Sequence, residues 1–411
     1  MNLVEKHIIK RAHKLYNECD MICFKSKNLY NYALYRIKNE IEKENKYDIL
    51  NNPYNYLKES ESFCELPQKV SQQTLMMLQT NIKSFYKSIK QYNKSPDKYK
   101  AKPEFPKFKH KTLGRNVINY TYQSISKKVF KKTNKIKLSQ CNIEFKTKIK
   151  NFGDICSVRI IPQNNQYTIE VVYKVNDVNK LNNNDRYCSI DLGVNNLATV
   201  TSNILKPFII NGKPLKSINQ YYNKTQALYK SELKIKNNKN TSNKIKWLNN
   251  KRNNKVNDYL HKSSKMIVNK LKEENINTII IGKNDNWKQD CEMGKNNTQN
   301  FVQIPHSRFI DMLNYKCELN SINVIIIEES YTSKASFFDL DKIPIYNTKN
   351  TKNIVFSGKR IKRGLYKSKS GKLINADVNG SLNIMRKAIS NINTEYGIEA
   401  CSMPQIINLI I

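Results

Sequence analysis

The chain has 411 residues, 39% of them hydrophobic, which is enough for two or three domains with real cores and excludes a disordered chain. Lys+Arg number 71 against Asp+Glu 34, a formal net charge of +37. A field of that sign attracts polyanions, nucleic acid first; a membrane surface would want the charge on one amphipathic helix, and here it runs along the whole chain. No apolar run approaches the roughly 20 residues of a membrane span, and the N-terminus lacks a signal-peptide apolar region, so a cytoplasmic protein with no membrane partner is expected. Nine cysteines are scattered with no C-x-x-C, and five histidines do not cluster. No zinc set is visible, and reduced, mostly buried thiols are expected.

Residues 11–45 carry Leu15, Cys19, Ile22, Leu29, Ala33, Ile37 and Ile41 at helical spacing. Pro53 interrupts, and a second helix is expected after "LPQKV", with Ser71 as its N-cap and Leu75, Leu78, Ile82, Phe85 and Ile89 as its stripe. At "KPEFPKFKHKTLGRN" the prolines forbid helix, and the following short segments, "DICSVRIIP" and "QYTIEVVYKV", read as strands of a small barrel or sandwich.

From Tyr187 three strands are expected in succession: "YCSIDLGV", "LATVTSN" and "KPFIING". A long Lys-rich helical stretch follows from about 217 to 275. Then come the strand "NTIIIG", a helix around "SRFIDMLNYKCELN", the strand "NVIIIEES" and a last helix "NGSLNIMRKAISN". The order βββ-α-β-α-β-α is that of the ribonuclease H fold, a mixed sheet with helices on its faces.

Three acids stand out by position. Asp191 ends the first, central strand; Asp377 stands at the entrance to the last helix; Glu328 and Glu329 end the last strand. Converging carboxylates need a cation between them, and oxygen ligands select Mg²⁺, with Mn²⁺ as a substitute. Such ions can activate water against a phosphodiester. The plainer readings are a turn at Asp191, a helix N-cap at Asp377 and a solvated strand end at Glu328–Glu329.

These residues resemble the TnpB proteins, transposon-encoded RNA-guided nucleases related to type V CRISPR effectors and to Fanzor. "SIDLGVNNLATV" is similar to their first RuvC motif, and "ADVNGSLNIMRKA" to their third. "SKNLYNYALYRIKNE", "LPQKVSQQTL" and "PEFPKFKHKTLGRN" are similar to their N-terminal half. The resemblance implies a multidomain α+β fold. It has a helical recognition lobe at 15–100, a wedge-like β-barrel formed by 1–14 and 101–182, and a RuvC nuclease domain at 183–411. It implies a guide RNA, a double-stranded target DNA with a short adjacent motif, and a metal-dependent endonuclease tied to a transposable element. The catalytic and metal-holding set is then Asp191, Glu329 and Asp377.

Two departures matter. The family's paired cysteines are missing from the segment of about 333–374, so no zinc is expected; Lys359, Arg360, Lys362 and Arg363 there are candidates for phosphate, or an exposed charged turn. The family's usual Glu position, at the end of the fourth strand, is Gly282, with Asp285 beyond it. The fifth strand ends instead in "EESYTSK". Strand alternation lets only one of Glu328 and Glu329 enter the site, and spacing to Tyr331-Thr332-Ser333 favours Glu329. If the glutamate is lost rather than moved, the alternative is a nuclease-inactive RNA-guided DNA-binding protein acting as a transcriptional repressor. A self-contained transposase would leave the N-terminal half without a job.

Overall fold

The computed structural model describes all residues except 45–46, 177, 285–287, 289–293, 346–354, 390–391, 393 and 411. The chain folds as two units, Met1–Asn176 and Asp177–Ile411.

The first unit opens with strand β1 (Asn2–Ile9), followed by the long helix α1 (Tyr16–Glu44). Three short helices, α2 (Asp48–Asn51), α3 (Pro53–Leu57) and α4 (Glu61–Cys64), lead into α5 (Gln68–Lys94). The heptad-like stripe of α1 is buried as expected: Cys19, Ile22, Leu29, Ala33 and Ile37 sit in one core with Leu75, Leu78 and Ile82 of α5. The start of α5 differs from expectation. Pro67 precedes its first turn, where a missing N–H costs nothing, and Ser71 is one turn inside, its buried hydroxyl donating to the Phe63 carbonyl. Beyond α5 come β2 (Ile118–Thr121), α6 (Lys127–Thr133), the ribbon β3 (Lys135–Lys137) and β4 (Glu144–Lys146), and the hairpin β5 (Ile155–Gln163) and β6 (Gln166–Lys174). They form an antiparallel sheet in the order β1-β6-β5-β2, edged by β1 and β2, beside the separate two-stranded ribbon. The proline-rich basic segment is pinned across α1. Asn31 exchanges two hydrogen bonds with the Lys109 backbone, and Arg115 grips Asp20 with two parallel bonds of 2.9 and 2.7 Å.

The second unit begins with β7 (Tyr187–Leu192), β8 (Asn196–Ser202) and β9 (Phe208–Asn211). The Lys-rich stretch is two helices, α7 (Lys213–Asn237) and α8 (Asn243–Glu273), broken at Asn238, which takes the left-handed conformation that ends a helix. Then follow β10 (Thr278–Gly282), α9 (Lys295–Gln303), α10 (His306–Glu318) and β11 (Asn323–Ile327). A small antiparallel sheet of β12 (Lys359–Lys362), β13 (Leu365–Lys367) and β14 (Leu373–Asn375) precedes α11 (Ala376–Ala388), α12 (Ile398–Ser402) and β15 (Gln405–Ile407).

The main sheet is mixed, in the order β11-β10-β7-β8-β9-β15. β7, β10 and β11 run parallel; β8 is antiparallel to both its neighbours; β15 adds in parallel to β9. Strand alternation sorts β7 onto two faces. Cys188, Ile190 and Leu192 enter a core with Val256, Leu260, Phe309 and Leu313 of α8 and α10. Tyr187, Ser189 and Asp191 face the other way, towards α11. That face is built for close approach: the Ser189 hydroxyl donates to the Ser381 carbonyl at 2.7 Å, and Ser381 Oγ lies 3.1 Å from the Thr199 carbonyl. β11 ends two residues earlier than expected, at Ile327, so Glu328 and Glu329 lie just beyond the strand. Among the described residues no helix is long and apolar enough to cross a membrane.

Candidate active site

Asp191 lies on the α11-facing side of the central strand, opposite Thr199 of β8. It packs against Gly380: a Cβ placed there would stand 2.7 Å from Asp191 Oδ2, so a side chain at that position displaces the carboxylate. Burial pushes the Asp191 carboxyl well above its ordinary range, and the Glu329 and Asp377 carboxylates push it further; Arg360 and the Leu192 amide oppose them.

Glu329 reaches the site from beyond β11. Its N–H donates to Asn284 Oδ1 at 3.0 Å, and its side chain lies across Gly282. Burial first, and then neighbouring Glu328, push its carboxyl from 4.5 to about 7, against the pull of Lys387. Its Oε2 is buried with no partner among the described residues. Glu328 turns elsewhere, to an ion pair with Lys387 and a 2.7 Å bond from the Ser330 N–H. Burial alone would raise it, but Lys387 and Ser330 hold it below its ordinary value. The two neighbours therefore diverge, although neither is in the strand.

Asp377 is not the cap of its helix. Asn375 is, its Oδ1 accepting from the Asp377 and Val378 amides at 3.0 and 3.2 Å. The Asp377 carboxylate is thereby left to accept from Asn196 Nδ2 at 2.7 Å and to face Arg360 at 3.6 Å. Asp191, Asp377, Asn195, Asn196, Arg360 and Arg363 line a polar cleft of about 330 Å³. All four basic candidates are exposed; Arg360 and Arg363 line the cleft, and Lys359 and Lys362 are not among its lining residues. Asp285 lies outside the described residues.

Sequence reasoning missed the positioning groups. Asn379 of α11 accepts from the Phe337 N–H at 3.0 Å and donates to the Ala335 carbonyl at 2.8 Å. Asn383 donates to the same carbonyl and to that of Thr332. The chain just after Glu329 is thus clamped to the helix that carries Asp377. His306 Nε2 stands 2.9 Å from the Gly193 carbonyl, bracing the turn after Asp191; burial and Lys288 push that imidazole down to about 4. Asn379 lies two residues after Asp377 inside the quoted segment "ADVNGSLNIMRKA"; nothing in the spacing marked His306.

The donor set suits a hard divalent cation: carboxylate oxygens only, one of them buried and unpartnered, with mutual repulsion that a cation would relieve. As they stand, no three Asp, Glu, His or Cys side chains among the described residues are gathered in ligating geometry. Arg360 is the cation beside Asp377.

Two family models match this unit and the end of the first. The probable transposase family OrfB_IS605 matches residues 170–288, which include β7, β8, β9 and β10. The Cas12f1-like TNB domain matches residues 306–384, from α10 into α11. The two matches support a likeness to the TnpB/Cas12f-like family. No curated protein matches the chain. Among solved structures, a Cas12f1–sgRNA–target DNA complex is 13% identical with a TM-score of 0.36, covering 94% of this chain and 100% of that one. A CRISPR-Cas12f ternary complex is 12% identical with a TM-score of 0.36, covering 92% and 82%. The mini-RNA-guided endonuclease CRISPR-Cas_phi3 is 14% identical with a TM-score of 0.37, covering 60% and 54%.

Proposed function

We propose that the protein is an RNA-guided DNA endonuclease of TnpB type, whose second unit is a RuvC domain of ribonuclease H fold. The observation that carries the reading is the buried, unpartnered Glu329 Oε2 lying across Gly282, with Asp191 and Asp377 lining one polar cleft. The family match and the sheet order, with an antiparallel β8 between β7 and β9 and parallel β10 and β11 on the far side, support it. The four-stranded sheet of the first unit is taken as the wedge and its helices as the recognition lobe.

Asp191, Glu329 and Asp377 would hold magnesium, which supplies a water activated for attack on a phosphodiester and stabilises the leaving oxygen. The chain's own residues set the stage. Asn196 and Asn375 orient Asp377, Gly282 admits Glu329, and Arg360 and Arg363 present positive charge to the phosphate entering the cleft. The basic surface binds guide RNA and target DNA by backbone and shape, and base pairing supplies sequence.

Plasmid cleavage tests the proposal, with the RNA that co-purifies from the host as guide and Mg²⁺ present. Cleavage at a guide-matched site is expected. Target binding without cleavage would move the assignment to the guided repressor; recovery of random RNA fragments alone would leave a general polyanion binder.

A further inference from the structure

Residues 330–376 contain neither cysteine nor histidine, in the stretch where the family's paired cysteines fall. One carboxylate gathers this stretch instead. Asp339 Oδ2 accepts from Ser336 Oγ at 2.6 Å, Ser357 Oγ at 3.0 Å and the Lys369 N–H at 2.7 Å. These donors come from three separate places: the turns after β11, the approach to β12, and the turn between β13 and β14. Asp341 doubles the link, its Oδ2 accepting from the Ser336 and Ser357 amides at 2.8 and 3.0 Å and its Oδ1 from Ser357 Oγ at 2.6 Å. The single Ser357 hydroxyl proton serves one carboxylate at a time. Burial pushes Asp339 up, but the Ser336, Lys369, Ser357 and Ser370 donors outweigh it and hold the carboxyl below its ordinary value.

This donor set does not fit zinc. It offers no thiolate or imidazole, and its carboxylates already accept protein N–H and O–H groups. We infer that Asp339 does here the cross-linking that a metal does in a cysteine-ligated finger, and that it is a positioning residue for Arg360 and Arg363. The path is short. Ser357 is held by both carboxylates, and Gly358 follows it. A Cβ on Gly358 would stand 2.5 Å from Tyr366 Cε1, so the backbone lies flat on that ring, whose hydroxyl donates to the Lys334 carbonyl at 2.8 Å. Lys359 and Arg360 come next, and Arg360 reaches Asp377. The other end of the hub is tied to α11 through Arg386, which donates to the Asp341 carbonyl at 2.7 Å.

The test is limited trypsin digestion of the full-length protein, with cleavage after Lys359, Arg360, Lys362 and Arg363 followed by mass spectrometry. Wild-type digestion should be the same with and without a zinc chelator. Asp339→Ala leaves the Ser336 hydroxyl and the Lys369 N–H unmatched, so digestion there should quicken about tenfold or more. Asp339→Asn keeps one carbonyl oxygen in place and should stay within roughly threefold of wild type. Chelator-induced digestion of the wild type, or wild-type protection in Asp339→Ala, would overturn the inference. Should Asp339→Ala lower the global melting transition, Ser357→Ala replaces it: faster digestion at these sites supports the inference and unchanged digestion overturns it. A second arm rests on the nuclease reading above: Asp339→Ala should lose plasmid cleavage while keeping guide RNA. A wild type that never cleaves would sink that reading and leave the digestion result standing.

Discussion

The Glu329 side chain occupies the space that a side chain on Gly282 would need. A Cβ on Gly282 would lie 2.6 Å from Glu329 Oε2 and 3.1 Å from Glu329 Cβ. The two positions sit at the ends of adjacent parallel strands, where Gly282 pairs with Ile327. The absent side chain on one strand and the inward acid beyond its neighbour are thus one feature.

That relationship makes Gly282→Ala informative. The added methyl meets Glu329 and, at 2.5 Å, Ile384 Cδ1, so overpacking should cost about 1–3 kcal/mol. DNA cleavage should fall as far as in Glu329→Gln, on the order of a thousandfold if the site acts as a unit. Glu328→Gln, which loses only the Lys387 pair, should stay close to wild type. Time courses of plasmid cleavage check all three; an active Gly282→Ala enzyme would show that Glu329 is not needed where it lies.

Gly380→Ala separates function from stability. Alanine favours a helix interior by about 1 kcal/mol over glycine, while overpacking costs about 1–3 kcal/mol. The melting temperature should therefore move little. The added Cβ, 2.7 Å from Asp191 Oδ2, should displace that carboxylate and abolish cleavage. Retained guide binding with lost cleavage is the expected pair of results.

Without divalent cations the site should tax stability as pH rises. A carboxyl raised in the folded state binds its proton more tightly there than when unfolded. The folded state therefore has its full stability below the unfolded pKa and loses it as pH climbs through the folded one. For Glu329 the window runs from 4.5 to about 7, corresponding to about 3 kcal/mol. Asp191 acts in the same direction. In chelating buffer, urea denaturation at pH 4 and pH 8 should show Glu329→Gln gaining on wild type at the higher pH. Added Mg²⁺ should stabilise wild type more than the variant at pH 8. Parallel pH curves for the two proteins would contradict this.

The sheet was legible because β7 alternates between hydrocarbon and polar residues and β10 is a short continuous apolar run. Ser189 and Asp191 could be placed on one face from the β7 period alone. The end of β11 was not legible: its apolar run passes straight into acids, and only the described pairing stops at Ile327. β12, β13 and β14 are only three or four residues long, too short for a period to announce them. β15 gains its strand character from pairing with β9, far away in sequence. The Asp339 hub was invisible because hydroxyl and amide donors leave no spacing signature of the kind that thiolate ligands do.

Arg360 and its neighbours offer a last test, of phosphate contact against an exposed charged turn. Arg360 stands at the cleft, 3.6 Å from Asp377, and Arg363 also lines it, while Lys359 and Lys362, equally exposed, are not among its lining residues. A cleft contact to the reacting phosphate should matter for turnover; an exposed lysine should add only to general attraction for the polyanion. Arg360→Ala should slow cleavage by roughly a hundredfold at saturating DNA, as for loss of one preorganised donor. Lys359→Ala should leave that rate within about twofold and lower only the salt sensitivity of DNA binding, by about one phosphate contact. Single-turnover cleavage at several salt concentrations separates the two. Equal rates for Arg360→Ala and Lys359→Ala would return the whole β12 turn to the solvated role that its sequence equally allowed.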